Sequence, residues 1–175
     1  MSRGLTADPA RTRPIRHAVV VDAPPAEAFT AFTAGIDAWW PREYSWSGDS
    51  LERMAMEPRA GGFLHEIGAF GMRLDWGRIS VWQPPSRLAF SWQIGPDRTP
   101  TPSPSQASEV EVRFDPAPAG RTRVSVSHDG WDRHGDRGAA YREQVDAAGT
   151  WPRALASFAE LAARHAEAPW AGLST

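Results

Sequence analysis

Apolar and polar positions alternate with a period of two over several short stretches of this chain, and with a period of three to four over one long stretch near its end. The clearest alternation lies between Gly77 and Ile94, where Leu88, Phe90, Trp92 and Ile94 interleave with Ala89, Ser91 and Gln93, and Ile79 and Val81 set the same rhythm just before. A period of two puts successive side chains on opposite faces of a strand, so one face is buried. Pro84-Pro85-Ser86-Arg87 cannot continue a ladder, because proline has no N–H to donate, so the two strands form an antiparallel hairpin. Its buried face carries large rings, and something bulky must cover it.

The rest of the chain supplies the cover. Ile15 to Val21 alternates as a first strand. Pro24-Pro25 then opens a helix, since the first helical turn has no use for the missing N–H. Ala28, Phe29, Phe32 and Ile36 follow at helical spacing, interrupted by Gly35, which predicts a second short helix over Ile36 to Trp40. Trp39, Trp40, Tyr44 and Trp46 crowd the next segment, and four aromatics there must fold back onto the core or over a pocket. Met54 and Met56 share a strand face. Phe63, His65 and Ile67 share one face of the next strand, opposite Leu64 and Glu66, and are assigned to the interior. Met72, Leu74 and Trp76 continue the alternation until the apolar parity slips by one at Gly77, which predicts a β-bulge and a strongly curved sheet.

Gly95 to Ser108 carries four prolines among serines and threonines and reads as a long mobile loop. Val110, Val112 and Phe114, then Val124, Val126 and His128, complete a set of about seven strands joined mostly by short turns, which is an antiparallel pattern. Asp129 to Gly138 reads as a solvated, ion-paired loop. Tyr141, Val145, Ala148, Trp151, Leu155, Phe158, Leu161 and Ala162 then recur every three or four residues, the signature of an amphipathic helix, with a fresh start near Gly149-Thr150 ahead of Pro152 and an end before Pro169. Residues 1–13 read as a disordered arm, 14–166 as one α+β domain and 167–175 as a tail.

Composition narrows the chemistry. A length of 175 residues suits a single domain. A formal net charge of −2 and a pI near 6.2 give no electrostatic reason to expect a nucleic-acid partner. The sequence has no cysteine, no lysine and no asparagine, which removes disulfides, thiolate catalysis, Cys-bound metals, Schiff-base chemistry and a P-loop lysine. The first residues lack the apolar core of a signal peptide, and no run approaches the roughly 20 apolar residues of a membrane span. A cytoplasmic protein without a membrane partner is the expectation. Nine tryptophans are many for this length, and read as an aromatic core that can also line a cavity for a flat ligand.

One strand, two short helices, six antiparallel strands and a long C-terminal helix form the element order of the helix-grip, or Bet v 1-like, fold. Within that superfamily, called SRPBCC or START-like, the chain resembles the Hsp90 ATPase activator homologue 1-like proteins. The resemblance rests on Ala23-Pro24-Pro25 leading to Phe29, on Gly61-Gly62, and on the Pro-Pro-x-Arg-Leu-x-Phe-x-Trp run ending at Trp92. It continues at His128-Asp129-Gly130-Trp131 and over Trp151 to Leu161, and so covers roughly residues 14–165. It implies a curved sheet gripping the last helix, with an apolar cavity between them. Related families bind lipids, hormones or polyketides there, and some catalyse cyclisation or hydration.

Strand parity places Met56, His65, Trp76, Phe90, Trp92, Val112 and His128 toward that cavity, with Trp151, Leu155 and Phe158 facing it from the helix and Trp40 near its mouth. Catalysis in such a place needs a titratable group, and His65 and His128 are the first candidates, followed by Glu66, Asp75 and Tyr44. No metal or other cofactor is expected. His65-Glu66-Ile67-Gly68-Ala69 has alanine where the zinc motif HExxH needs its second histidine, and Asp129, Asp132, His134 and Asp136 do not have EF-hand spacing. The expected partner is an apolar or aromatic small molecule. A polyketide cyclase or hydratase activity and a chaperone-directed role are the alternatives, and a homodimer is compatible with the chain.

Overall fold

The computed structural model describes residues 13–167. Seven antiparallel strands form a single sheet in the order β1-β7-β6-β5-β4-β3-β2. They are β1 (Ile15–Val21), β2 (Arg53–Met56), β3 (Phe63–Ile67), β4 (Arg73–Gln83), β5 (Arg87–Trp92), β6 (Ser108–Ala117) and β7 (Arg121–Asp129). Helices α1 (Pro25–Thr33) and α2 (Ile36–Trp39) separate β1 from β2, and α3 (Gly138–Ala147) and α4 (Thr150–Glu167) follow β7. The expected arm and tail lie almost wholly outside the described residues; Arg13 itself accepts a 2.6 Å bond from Arg142 Nε through its carbonyl.

Helix α1 begins on Pro24-Pro25 and buries Phe29 and Phe32. Its end is tied by a side chain: Trp39 Nε1 donates to the Phe32 carbonyl at 3.0 Å, one of the acceptors that a helix leaves free in its last turn. Gly35 fits where it stands because a β-carbon there would lie 2.4 Å from the Ala31 carbonyl oxygen. A second tie holds α2 to β2, where Asp37 Oδ1 accepts from the Met54 N–H at 2.7 Å.

Strand β4 bends twice. Leu64 pairs with Gly77 and His65 with Asp75, leaving Trp76 as an extra residue, and Ser80 is extra between the Ile79–Phe90 and Val81–Ala89 pairs. Each bulge increases the local twist, so the sheet curls around α4. At the first bulge the neighbouring strand comes so close that a β-carbon on Gly77 would sit 2.8 Å from the Ser91 carbonyl oxygen.

The inner face meets Trp151, Ala154, Leu155, Phe158, Leu161 and Ala162 of α4, all buried. Two ring clusters result. Phe32 and Phe114 stand edge to face at 5.5 Å, and Phe158 reaches Phe32 at 5.2 Å and Trp39 at 5.5 Å. Toward the start of α4, Trp40, Trp76, Trp92, Trp151 and His128 form the second.

Two segments depart from the sequence reading. The stretch between β5 and β6 is pinned: Gly95 N–H donates to the Thr99 carbonyl at 2.7 Å, Thr101 N–H to Gln93 at 2.9 Å, and Arg98 bonds the Ser45 carbonyl across the domain. Its prolines exclude a long ladder without leaving it untethered. The charged run after β7 is a short 3-10 helix, Trp131–Arg137, whose Trp131 is wholly buried. Trp131 Nε1 donates to the His128 carbonyl at 3.0 Å, so the segment is anchored on the core.

Candidate ligand site between the sheet and the last helix

The second ring cluster is the centre of the site. Trp40 stands 5.4 Å from Trp76, 5.9 Å from Trp92 and 6.1 Å from Trp151, and Trp92 lies 5.6 Å from Trp76 and 5.7 Å from Trp151. Three elements present these rings: the bulge of β4, the end of β5 and the first turn of α4. Trp40 differs from the others, because it is carried by the irregular segment that follows α2. Phe90, Val112, Leu155 and Phe158 are core residues on the same interior side. Met56 is buried too, and it lines a separate apolar groove of about 320 Å³ with Phe29, Thr33, Pro58, Trp82 and Pro84. Two polar depressions of about 460 and 410 Å³ lie on the outer face of the sheet, around Arg16, Arg113 and Ser125 and around Glu109, Asp129 and Arg133.

His65 is a correction. Its register partners are Ala55 and Asp75, and the charges that act on it belong to Arg73, Asp75, Glu57 and Arg53. It therefore lies on the outer face, among ion pairs such as Arg73 Nε to Asp75 Oδ1 at 2.7 Å. Burial, and next the Arg73 charge, push its pKa below the ordinary value. The inward residues of β3 are Leu64 and Glu66, which pair with Met56 and Met54. Phe63, expected inside, lies beneath guanidinium groups, with Arg78 4.8 Å and Arg73 5.8 Å from its ring centre.

Glu66 is buried and fully engaged. Its carboxylate accepts from the Ser47 N–H and Ser47 Oγ, both at 2.7 Å, and from the Trp46 N–H at 3.1 Å. These bonds hold the segment 40–50 over the rings, helped by Arg98 from the β5–β6 segment and by Tyr44 Oη to the Ala148 carbonyl at 3.4 Å. Glu66→Gln keeps the shape but replaces one acceptor by a donor facing donors. The expected result is a loss of about 2 kcal/mol in chemical denaturation. A loss under roughly 0.5 kcal/mol would show that the carboxylate does not hold the segment.

His128 is completely buried, and both its nitrogens are occupied. Trp151 Nε1 is a donor only, so the 3.1 Å contact makes His128 Nδ1 the acceptor. The ring proton then sits on Nε2 and is donated to Ser108 Oγ at 2.8 Å. His134 Nε2 accepts from the Ser108 N–H at 3.2 Å and lies 3.2 Å from Ser108 Oγ, which completes the chain Trp151, His128, Ser108, His134. Burial, and then the His134 charge, hold the His128 pKa well below its ordinary value; burial lowers His134 as well. As it stands the imidazole orients Trp151 and offers no free lone pair. In the sequence His134 enters only as a rejected metal ligand, and Ser108 does not enter as a site residue at all. The signal for them was the tryptophan in the charged run, since a ring that large beside His134 had to turn inward. Tyr141 forms a second buried link, accepting from Trp92 Nε1 at 2.9 Å, and burial pushes its pKa up to about 12.

Among the described residues no group of three or more His, Asp or Glu side chains could hold a metal ion, and no helix is long and apolar enough to cross a membrane. Asp75 lies in the outer ion pairs and Tyr44 at the edge of the segment over the rings.

A curled antiparallel sheet closed on a C-terminal helix, with an aromatic interior, defines a Bet v 1-like, helix-grip protein of the SRPBCC superfamily. The chain belongs to the Activator of Hsp90 ATPase homolog 1-like family, whose model matches residues 22–163. It is similar to the solved anthrahydroquino-γ-pyrone synthase Txn09, complexed with SUM, at 36% identity and a TM-score of 0.60, over 85% of this chain and 96% of that one. It is also similar to CalC, a self-sacrificing resistance protein from Micromonospora echinospora, at 26% identity and a TM-score of 0.60, over 92% and 99% of the two chains. A protein from Nitrosomonas europaea shares the fold at 14% identity and a TM-score of 0.61, over 86% and 94%. A comparison with curated proteins finds no match.

Proposed function

We propose that this protein binds a flat, largely apolar aromatic molecule between the sheet and α4, entering beneath the segment 40–50. The carrying observation is the position of Trp40. Its ring occupies the middle of the tryptophan cluster but hangs from an irregular segment fixed by a few hydrogen bonds, so its outward swing opens a space walled by Trp76, Trp92 and Trp151. Large aromatic surface with few polar groups is the usual lining of a small-molecule site. The partner is a small molecule in the cytoplasm.

Titration of tryptophan fluorescence with three-ring aromatic compounds tests the proposal. Saturable quenching with a Kd of about 10 μM or tighter is the expected result. Unmoved fluorescence across a panel of such compounds would mean that the rings are only core.

A second reading is an enzyme of the cyclase kind acting on the same ligand. Two observations favour it: the likeness to a synthase that forms an anthrahydroquino-γ-pyrone, and the chain from His128 through Ser108 to His134. Proton transfer by His128 Nδ1 requires that Trp151 give up its bond, which ligand entry beside Trp151 can bring about.

A further inference from the structure

The polar edges of the buried tryptophans are not treated alike. Trp39, Trp92, Trp131 and Trp151 each donate to an acceptor of the protein: the Phe32 carbonyl, Tyr141 Oη, the His128 carbonyl and His128 Nδ1. Trp40 and Trp76 do not, although they are only 6% and 2% exposed and their Nε1 atoms are buried. Trp46 Nε1, in the segment above them, is a third such donor. A buried indole N–H normally has a partner, because leaving one unmade forfeits its hydration. The two unmatched core donors belong to rings in contact, 5.4 Å apart, beneath the irregular segment 40–50.

We infer that Trp40 and Trp76 form a carbonyl-recognition subsite: their N–H groups take up a ketone or quinone oxygen of the bound aromatic molecule. The inference rests on the proposed ligand site and adds the chemical class of its occupant. Indole can only donate, so the matching group must be an acceptor. An anionic oxygen is disfavoured in this apolar place, where no arginine of the second cluster compensates it, and a neutral ring carbonyl is the acceptor that a flat aromatic can bring. The composition agrees. The sequence has neither a thiol nor a lysine amine, the side chains that add most readily to an electrophilic quinone ring. Trp40 then has two parts in binding: it yields the central space, and its N–H meets the oxygen that arrives.

The test compares anthraquinone-2-sulfonate with anthracene-2-sulfonate, which share the ring outline and the charge and differ in the two oxygens. The unaltered protein is expected to bind the quinone about tenfold more tightly, and Trp40→Phe and Trp76→Phe each to lower that ratio by about fivefold. Loss of ring area affects both probes, so the ratio corrects for it, and the indole N–H resonances separate the hydrogen bond from any difference in stacking. Should a variant fold poorly, the indole N–H resonances of the unaltered protein give the same answer. Two of them are expected to move downfield with the quinone and to stay in place with anthracene-2-sulfonate. Equal affinity for the two probes in the unaltered protein, a ratio unchanged in both variants, or indole signals indifferent to the quinone would overturn the subsite while leaving the ligand site standing. Saturable binding of neither probe would remove the ligand site, and the subsite with it.

Discussion

Phe158→Ala is expected to lower the unfolding free energy by about 4 kcal/mol, the largest single effect anticipated in this chain. Phe158 is fully buried on α4 and stands edge to face with Phe32 of α1 at 5.2 Å and with Trp39 of α2 at 5.5 Å. It is the ring through which the last helix meets both short helices. Truncation removes the transfer free energy of a phenyl group and leaves a void that a sheet on one side and three helices on the others cannot readily close. For a domain of this size that corresponds to a fall of about 8 to 16 °C in Tm. Phe158→Leu refills most of the volume and is expected to cost about 1.5 kcal/mol. Equilibrium denaturation of the three proteins decides the matter. A loss below roughly 1 kcal/mol for the alanine variant would mean that α4 is not held to α1 and α2 by this contact.

The sheet and α4 were legible because each buries one face only. In β6, Val110, Val112 and Phe114 are buried while Arg113 and Asp115 are exposed, and this contrast is what a period of two records. The bulge at Gly77 was legible for the same reason, since an extra residue shifts the parity of everything beyond it. Strand β3 was misread because its polarity is inverted. An apolar Phe63 lies outside under two arginines, and a carboxylate lies inside. What makes Glu66 tolerable there is a set of donors from Trp46 and Ser47, about twenty residues earlier, and no local pattern reports so distant a partner.

The site shows the same division. Trp76, Phe90 and Trp92 could be placed inward from strand parity, and Trp151, Leu155 and Phe158 from helical periodicity. His134 could not, because its place depends on Ser108, and the charges around it suggest a solvated loop. The unmatched N–H groups of Trp40 and Trp76 depend on ring orientation, which spacing along a chain does not encode. The features on which the proposed ligand site rests are therefore the ones that only the folded structure displays. The fold was set by the common alternation of apolar and polar residues, whereas the site depends on which polar atoms that alternation leaves without a partner.

His128→Leu is expected to cost about 3 kcal/mol near neutral pH, and the cost should shrink in acid. The leucine occupies much of the imidazole's space but leaves Trp151 Nε1 without its acceptor at 3.1 Å and Ser108 Oγ without its donor at 2.8 Å. Acid acts on the unaltered protein in a known direction. Burial holds the pKa of His128 well below the ordinary value in the folded state, so the unfolded chain takes up the proton first. The contribution of His128 to stability is therefore complete above the unfolded pKa of about 6.5 and is lost as the pH falls below it, at up to about 1.4 kcal/mol per pH unit. His65 and His134, whose pKa values are also lowered, add to the same fall. They and the carboxylates are common to both proteins, so the difference between variant and parent isolates the one histidine. Denaturation at about pH 8 and about pH 5.5 should show that difference narrowing by about 1.4 kcal/mol. A gap that stays constant would mean that position 128 exchanges no proton on unfolding, and the assignment of His128 as a neutral, locked imidazole would fall. A narrowing gap would show that His128 is neutral in the folded state, as its bonds with Trp151 Nε1 and Ser108 Oγ require.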